Sequence, residues 1–74
     1  MILHIVVIKD SAVDAFQQPI FVHAIGMAVR SFGDEIRNKE SPMNAHPEDY
    51  TLYNLGQFDT DSGEFINNNI TMGS

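Results

Sequence analysis

The stretch from Ser41 to Phe65, SPMNAHPEDYTLYNLGQFDTDSGEF, constrains the fold of this chain more than any other. Pro42 and Pro47 punctuate its start. The residue before each is pushed toward extended backbone, so no helix continues through the loop. Tyr50, Thr51, Leu52, Tyr53, Leu55 and Phe58 then form a dense run of aromatic, β-branched and apolar residues suited to a pleated surface. Asp59-Thr60-Asp61-Ser62-Gly63 supplies turn chemistry, because short acidic side chains bind nearby N–H groups and glycine tolerates positive φ. Glu64-Phe65-Ile66 restarts a strand. The segment predicts a β-hairpin with a stiff loop leading into it.

The rest of the chain adds two strands and one helix. Ile2 to Ile8, ILHIVVI, is a short apolar run rich in β-branched residues, of the kind that fills a central strand. Lys9 to Gln18 is a polar connection with Phe16 as its large apolar residue. Pro19-Ile20-Phe21-Val22 predicts a second strand, with proline at its first position, where a missing donor matters least. From Ala24 to Arg37 the period becomes helical. Ile25, Ala28, Val29, Phe32 and Ile36 make one stripe, with Arg30, Asp34, Glu35 and Arg37 off it. Arg37 and Lys39 complement the helix dipole at its carboxyl end, and Ser41-Pro42 stops the helix. The expected architecture is α+β, in the order β-β-α-β-β: a small antiparallel sheet with one amphipathic helix on one face. Residues 1–66 form the domain and 67–74 a frayed tail.

Size and composition set what such a domain needs. At 74 residues the chain sits where only about 60% of the unfolded surface is buried and stability alone is marginal. With no cysteine it has neither disulfides nor thiolate zinc sites as staples, so self-association is expected. One helix covers one sheet face; the other must meet solvent, a second subunit or a partner. Phe21 and Phe58 are expected in the core, while Tyr50 and Tyr53, whose hydroxyls suit a rim, could go either way. No apolar run reaches the ~20 residues of a membrane span, and Ile2 to Ile8 lacks the flanks of a signal peptide. A cytoplasmic protein without a membrane span is expected.

Charge is unevenly placed. Residues 1–39 hold all four cations, Lys9, Arg30, Arg37 and Lys39, against four acids; residues 40–74 hold six acids and no cation. Affinity for phosphate backbones scales with the number of phosphates that lysine and arginine neutralise. Four cations, half of them beside acids, disfavour direct nucleic-acid binding. The acidic half suits a basic protein partner better. If DNA is bound at all, the residues to carry it are Lys9, Arg30, Arg37 and Lys39, with Tyr50 and Tyr53 stacking on bases.

Sites for chemistry are weak. His4, His23 and His46 share no local spacing that would hold zinc. His46-Pro47-Glu48-Asp49 gathers an imidazole and two carboxylates, but without a nucleophile nearby it predicts a structural loop. There Asp49 caps backbone N–H groups and Pro47 stiffens the approach to the strand. Asp59-Thr60-Asp61-Ser62-Gly63 has its glycine one position early for a calcium loop, and Ile70 stands where the bidentate glutamate belongs. The chain is expected to be non-enzymatic, with no catalytic residue, no metal and no cofactor.

The strings HPEDYTLYNLGQFD (His46 to Asp59) and Gly63-Glu64-Phe65, with Gln18-Pro19-Ile20-Phe21 and the helical Ala28-Val29-Arg30-Ser31-Phe32, carry a family resemblance. Over roughly Val6 to Phe65 the chain resembles the small nonstructural protein of gokushoviruses, single-stranded DNA phages of the Microviridae. Departures are Val13-Asp14, where the family tends to have small residues, and an Asn-rich end in place of a longer tail. The resemblance implies a replication-stage phage protein, counterpart of the microvirus protein that switches DNA synthesis toward single-stranded genomes for packaging. A regulator of that kind acts in the host cytoplasm through a viral or host replication or packaging protein. Asp49, Tyr50 and Tyr53 are the candidate partner-contact residues.

Overall fold

In the computed structural model, which describes the backbone of residues 1–73 and the side chains of residues 1–67, the apolar run at the amino end is the centre of the sheet. Strand β1 (Ile2–Asp10) pairs antiparallel along its whole length with β4 (Tyr50–Asp59), and β4 pairs in turn with β5 (Phe65–Gly73). The other edge of β1 is shared by two short pieces. Lys9 and Asp10 pair with β2 (Ala15–Phe16), and His4, Ile5 and Val6 pair with β3 (Ile20–Val22). The polar connection thus contains a small strand, reached through a turn in which Asp14 takes φ 53°. The fold is α+β with an antiparallel sheet and one principal helix, as the sequence predicts.

Helix α1 (Ile25–Arg37) follows β3. It has no side-chain cap at Ala24, and Arg37 lies in its last turn. Ala28, with Ile25 and Phe32, seats the helix on Val6, Ile8, Val22 and Leu52; Val6 is fully buried at the centre of this cluster. Val29, expected on the buried stripe, is 45% exposed; the helix joins the core cluster through Ile25, Ala28 and Phe32. Ser41 then caps a one-turn helix, α2 (Pro42–Ala45), accepting from the Met43 amide at 3.2 Å. The Asn44 side chain donates to the Ile36 carbonyl at 2.8 Å and ties this turn to the end of α1. A 3-10 helical turn, Pro47–Asp49, leads into β4. Both prolines therefore start short helical turns at the first position, where no N–H is missed, and the expected stiff loop consists of these turns.

The β4–β5 hairpin has a tightly bonded turn and a longer ladder than its composition suggests. Its turn is closed by Asp59 N–H to Glu64 O (3.0 Å), Gly63 N–H to Asp59 O (2.8 Å) and Asp61 N–H to Asp59 Oδ1 (2.9 Å), with Gly63 at φ 74°. The expected hairpin turn is there. Beyond Ile66, however, the ladder continues: Asn67 pairs with Gly56, Ile70 with Asn54, Thr71 with Tyr53 and Gly73 with Leu52. Residues 67–73, expected as a frayed tail, form strand; Ser74 lies outside the described residues. Backbone pairing to β4 outweighs the poor strand propensity of asparagine in this stretch.

Candidate functional site

A β-bulge decides which side chains share a face. Ile5 of β1 pairs with Gly56 and Val6 with Asn54, so Leu55 is an extra residue in β4. The Asn54 side chain closes the bulge by accepting from the Gly56 amide at 3.0 Å. Gly56 sits at φ 144°, and a Cβ there would lie 1.7 Å from the Ile66 carbonyl oxygen. No other residue type fits that approach. Because successive strand residues alternate faces, the extra residue reverses parity. Leu52 lies on the helix-covered face and Tyr53 on the open one, yet beyond the bulge Phe58 is on the open face opposite Leu3.

The open face therefore collects most of the aromatic side chains. Phe16 and Tyr53 meet edge-to-face with centroids 5.5 Å apart and Phe21 and Phe58 likewise at 6.0 Å, while Phe58 and Phe65 are tilted by 41° with centroids 4.9 Å apart. Beneath them Ile5 and Val7 are buried without any helix above. Between the rings runs an apolar groove of about 420 Å³ lined by Ile5, Pro19, Phe21, Leu55, Phe65 and Ile66. Phe16, Phe21 and Phe65 remain 53%, 49% and 67% exposed. Phe21 and Phe58, expected in the core, thus lie on the outer surface of the sheet. Register decides this: Phe21 pairs with Ile5 and Phe58 with Leu3, both residues of the open face.

The sequence candidates are dispersed. Tyr53 belongs to the open face, whereas Tyr50, three residues earlier, pairs with Asp10 on the Leu52 side. Asp49 does not act through its carboxylate as expected. Its carbonyl oxygen accepts from the Ser11 amide at 2.8 Å and from Ser11 Oγ at 3.0 Å, and no hydrogen bond to its side chain occurs among the described residues. The loop is anchored by main chain instead. Of the four cations, Lys9 is on the open face, 5.4 Å above the Phe16 ring and 3.2 Å from Asp14. Arg30 and Arg37 are on α1 and Lys39 just beyond it, on the opposite side of the sheet, with Arg37 bound to Asp34 at 2.8 Å. These four do not form one surface. The bulge and Phe65 were missed by the sequence reasoning; a glycine inside a strand pattern, Gly56, was the available signal.

Two further groups carry polar chemistry. His46, Glu48 and Asp49 place their ligand atoms within 4.8 Å of one another, the one such histidine–carboxylate group among the described residues, so the three histidines do not converge. His46 and Glu48 are 70% and 71% exposed, a solvated turn. At the hairpin, the Asp61 amide, with further donors from Ser62, holds the Asp59 carboxyl below its ordinary value.

The chain is thus a small antiparallel α+β domain with a helix on one sheet face and bare aromatics on the other, and the family model described as Phage ORF5 protein matches its residues 3–72. The chain belongs to that phage family. No curated protein and no solved structure matches it. No helix among the described residues is long and apolar enough to cross a membrane.

Proposed function

We propose that this protein is a gokushovirus nonstructural protein that regulates viral single-stranded DNA synthesis or genome packaging, without enzymatic activity, through protein contacts in the host cytoplasm. Membership of the phage family supports the setting. The observation that carries the mode of action is the separation of charge from aromatic surface. The open face offers rings and one paired lysine, while Arg30, Arg37 and Lys39 are on the far side. A surface that grips single-stranded DNA needs both together, stacking platforms within a cationic groove. The acidic half, six acids without a cation in residues 40–74, suits a basic protein partner.

The rival reading, a single-stranded DNA-binding module, takes its support from Lys9 beside Phe16 and Tyr53. The two separate in an anisotropy titration against an unstructured oligonucleotide. No binding is expected at near-physiological salt and micromolar protein. Any binding at low salt should show a shallow slope, at most about −0.7 per neutralised phosphate. Submicromolar binding at physiological salt, lost in a Lys9→Ala variant or in an Arg30→Ala, Arg37→Ala double variant, would establish the DNA reading instead. In infected cells, affinity capture of the tagged protein should retain its viral or host partner after nuclease treatment.

A further inference from the structure

We infer that the open aromatic face is covered by a second copy of this chain, giving a two-fold sandwich in which the two sheets meet face to face and the α1 helices lie outside. This stands independently of any role in DNA synthesis.

Area is the first argument. The chain measures 41 × 22 × 16 Å, so its broad side presents about 900 Å² in outline, close to the ~800 Å² per partner of a stable interface. Its accessible surface, 4955 Å², exceeds the ~4,600 Å² of a compact monomer of 8.3 kDa. Phe16, Phe21 and Phe65 each keep about half or more of their surface in water, whereas among the described residues only Ile5, Val6, Val7, Ala28, Met43 and Leu52 are buried hydrophobics. Chain burial is thus too small, and the open face too apolar, for the monomer to be the stable unit.

Charge is the second argument, and it selects the occupant. Each chain carries a net charge of −6, so two copies repel unless their contact surface is free of acid. The open face meets that condition. Lys9 is the charged side chain on it, compensated by Asp14 at the rim, and the carboxylates of Asp34 and Glu35 are on α1 across the sheet. Aromatic enrichment with charge depleted at the centre is what interface cores share. A two-fold axis would set each copy's Phe21–Phe58–Phe65 row and apolar groove against the other's, a self-complementary contact of knob and recess. Two faces of this kind pack about 10 Å apart, as in other sheet sandwiches.

Sedimentation equilibrium of the full chain at micromolar concentration tests this. The wild type should show twice the 8.3 kDa chain mass. Phe16→Glu and Phe65→Glu, at exposed positions, should weaken the dimer at least tenfold while keeping the far-ultraviolet circular dichroism spectrum. Met27→Glu and Val29→Glu place the same charge on exposed apolar residues of α1 and should leave the mass unchanged. In case the aromatic variants fail to fold, isotope-filtered NOE spectra of mixed labelled and unlabelled wild type should show contacts between protomers from the Phe16, Phe21 and Phe65 rings. A wild type that stays at 8.3 kDa, intermolecular contacts from α1 instead, or a monomer whose rings become protected only on adding a single-stranded oligonucleotide would each overturn the inference.

Discussion

Replacing Gly56 by alanine should break the molecule at its bulge. The added Cβ would lie 1.7 Å from the Ile66 oxygen, 2.8 Å from the Ile66 carbonyl carbon and 3.1 Å from Asn67 Cα. An ordinary carbon–oxygen contact is about 3.3 Å or more, so β5 would have to move by roughly 1.5 Å. All three obstacles are main chain, with no flexible side chain to swing aside. The backbone at φ 144° adds strain of about 1–3 kcal/mol for any residue with a Cβ. Relief by detaching β5 would remove the Phe58–Phe65 contact and the pairing from Leu52 to Phe58. The expected loss is at least about 3 kcal/mol, a large share of the ~4–11 kcal/mol available to a chain of this length. Urea unfolding followed by circular dichroism measures it. Gly26→Ala is the reference, since a Cβ there meets nothing within 4 Å and helix propensity should gain up to about 1 kcal/mol. A Gly56→Ala protein within about 0.5 kcal/mol of wild type, a difference typical of neutral surface substitutions, would refute the bulge as a determinant of the fold.

The same geometry sets three other expected outcomes. Val6→Ala, at the fully buried centre under Ala28, should lower stability by about 2 kcal/mol in thermal or urea unfolding. Asp49→Ala should change stability by less than about 0.5 kcal/mol, with or without added zinc, since the anchor to Ser11 is the main-chain carbonyl; a metal-dependent rise in melting temperature lost in the variant would instead make His46, Glu48 and Asp49 a site. The Asp59 carboxyl, depressed by the Asp61 amide, favours the folded state above the ordinary aspartate value of ~3.9 and loses that contribution as pH falls through its lowered folded value, so carboxyl NMR should place its midpoint below that ordinary value, and Asp59→Asn should flatten the acid limb of the stability curve.

Much of the fold was legible in local pattern. The stripe of Ile25, Ala28 and Phe32 set a helix that ends before Ser41-Pro42, and the aspartates with Gly63 set the hairpin turn, because these signals depend on neighbours within a few residues. The β-branched run at Ile2–Ile8 likewise marked the central strand. What tertiary structure alone decided is which face each strand residue takes. Tyr50 and Tyr53 read as one candidate pair along the sequence, yet pairing with Asp10 and Val7 puts them on opposite faces. The bulge at Leu55 exists only because Ile5 faces Gly56 while Val6 faces Asn54, a register set by β1 from the far end of the chain. It moves Phe58 from the helix side to the open side, beside Phe21 and Phe65. Asparagine-rich residues 67–73 extend as strand because β4 supplies the hydrogen-bond partners their own composition does not call for. Alternation is local, but its phase is not: one inserted residue inverts it, and only the partner strand fixes where that residue goes.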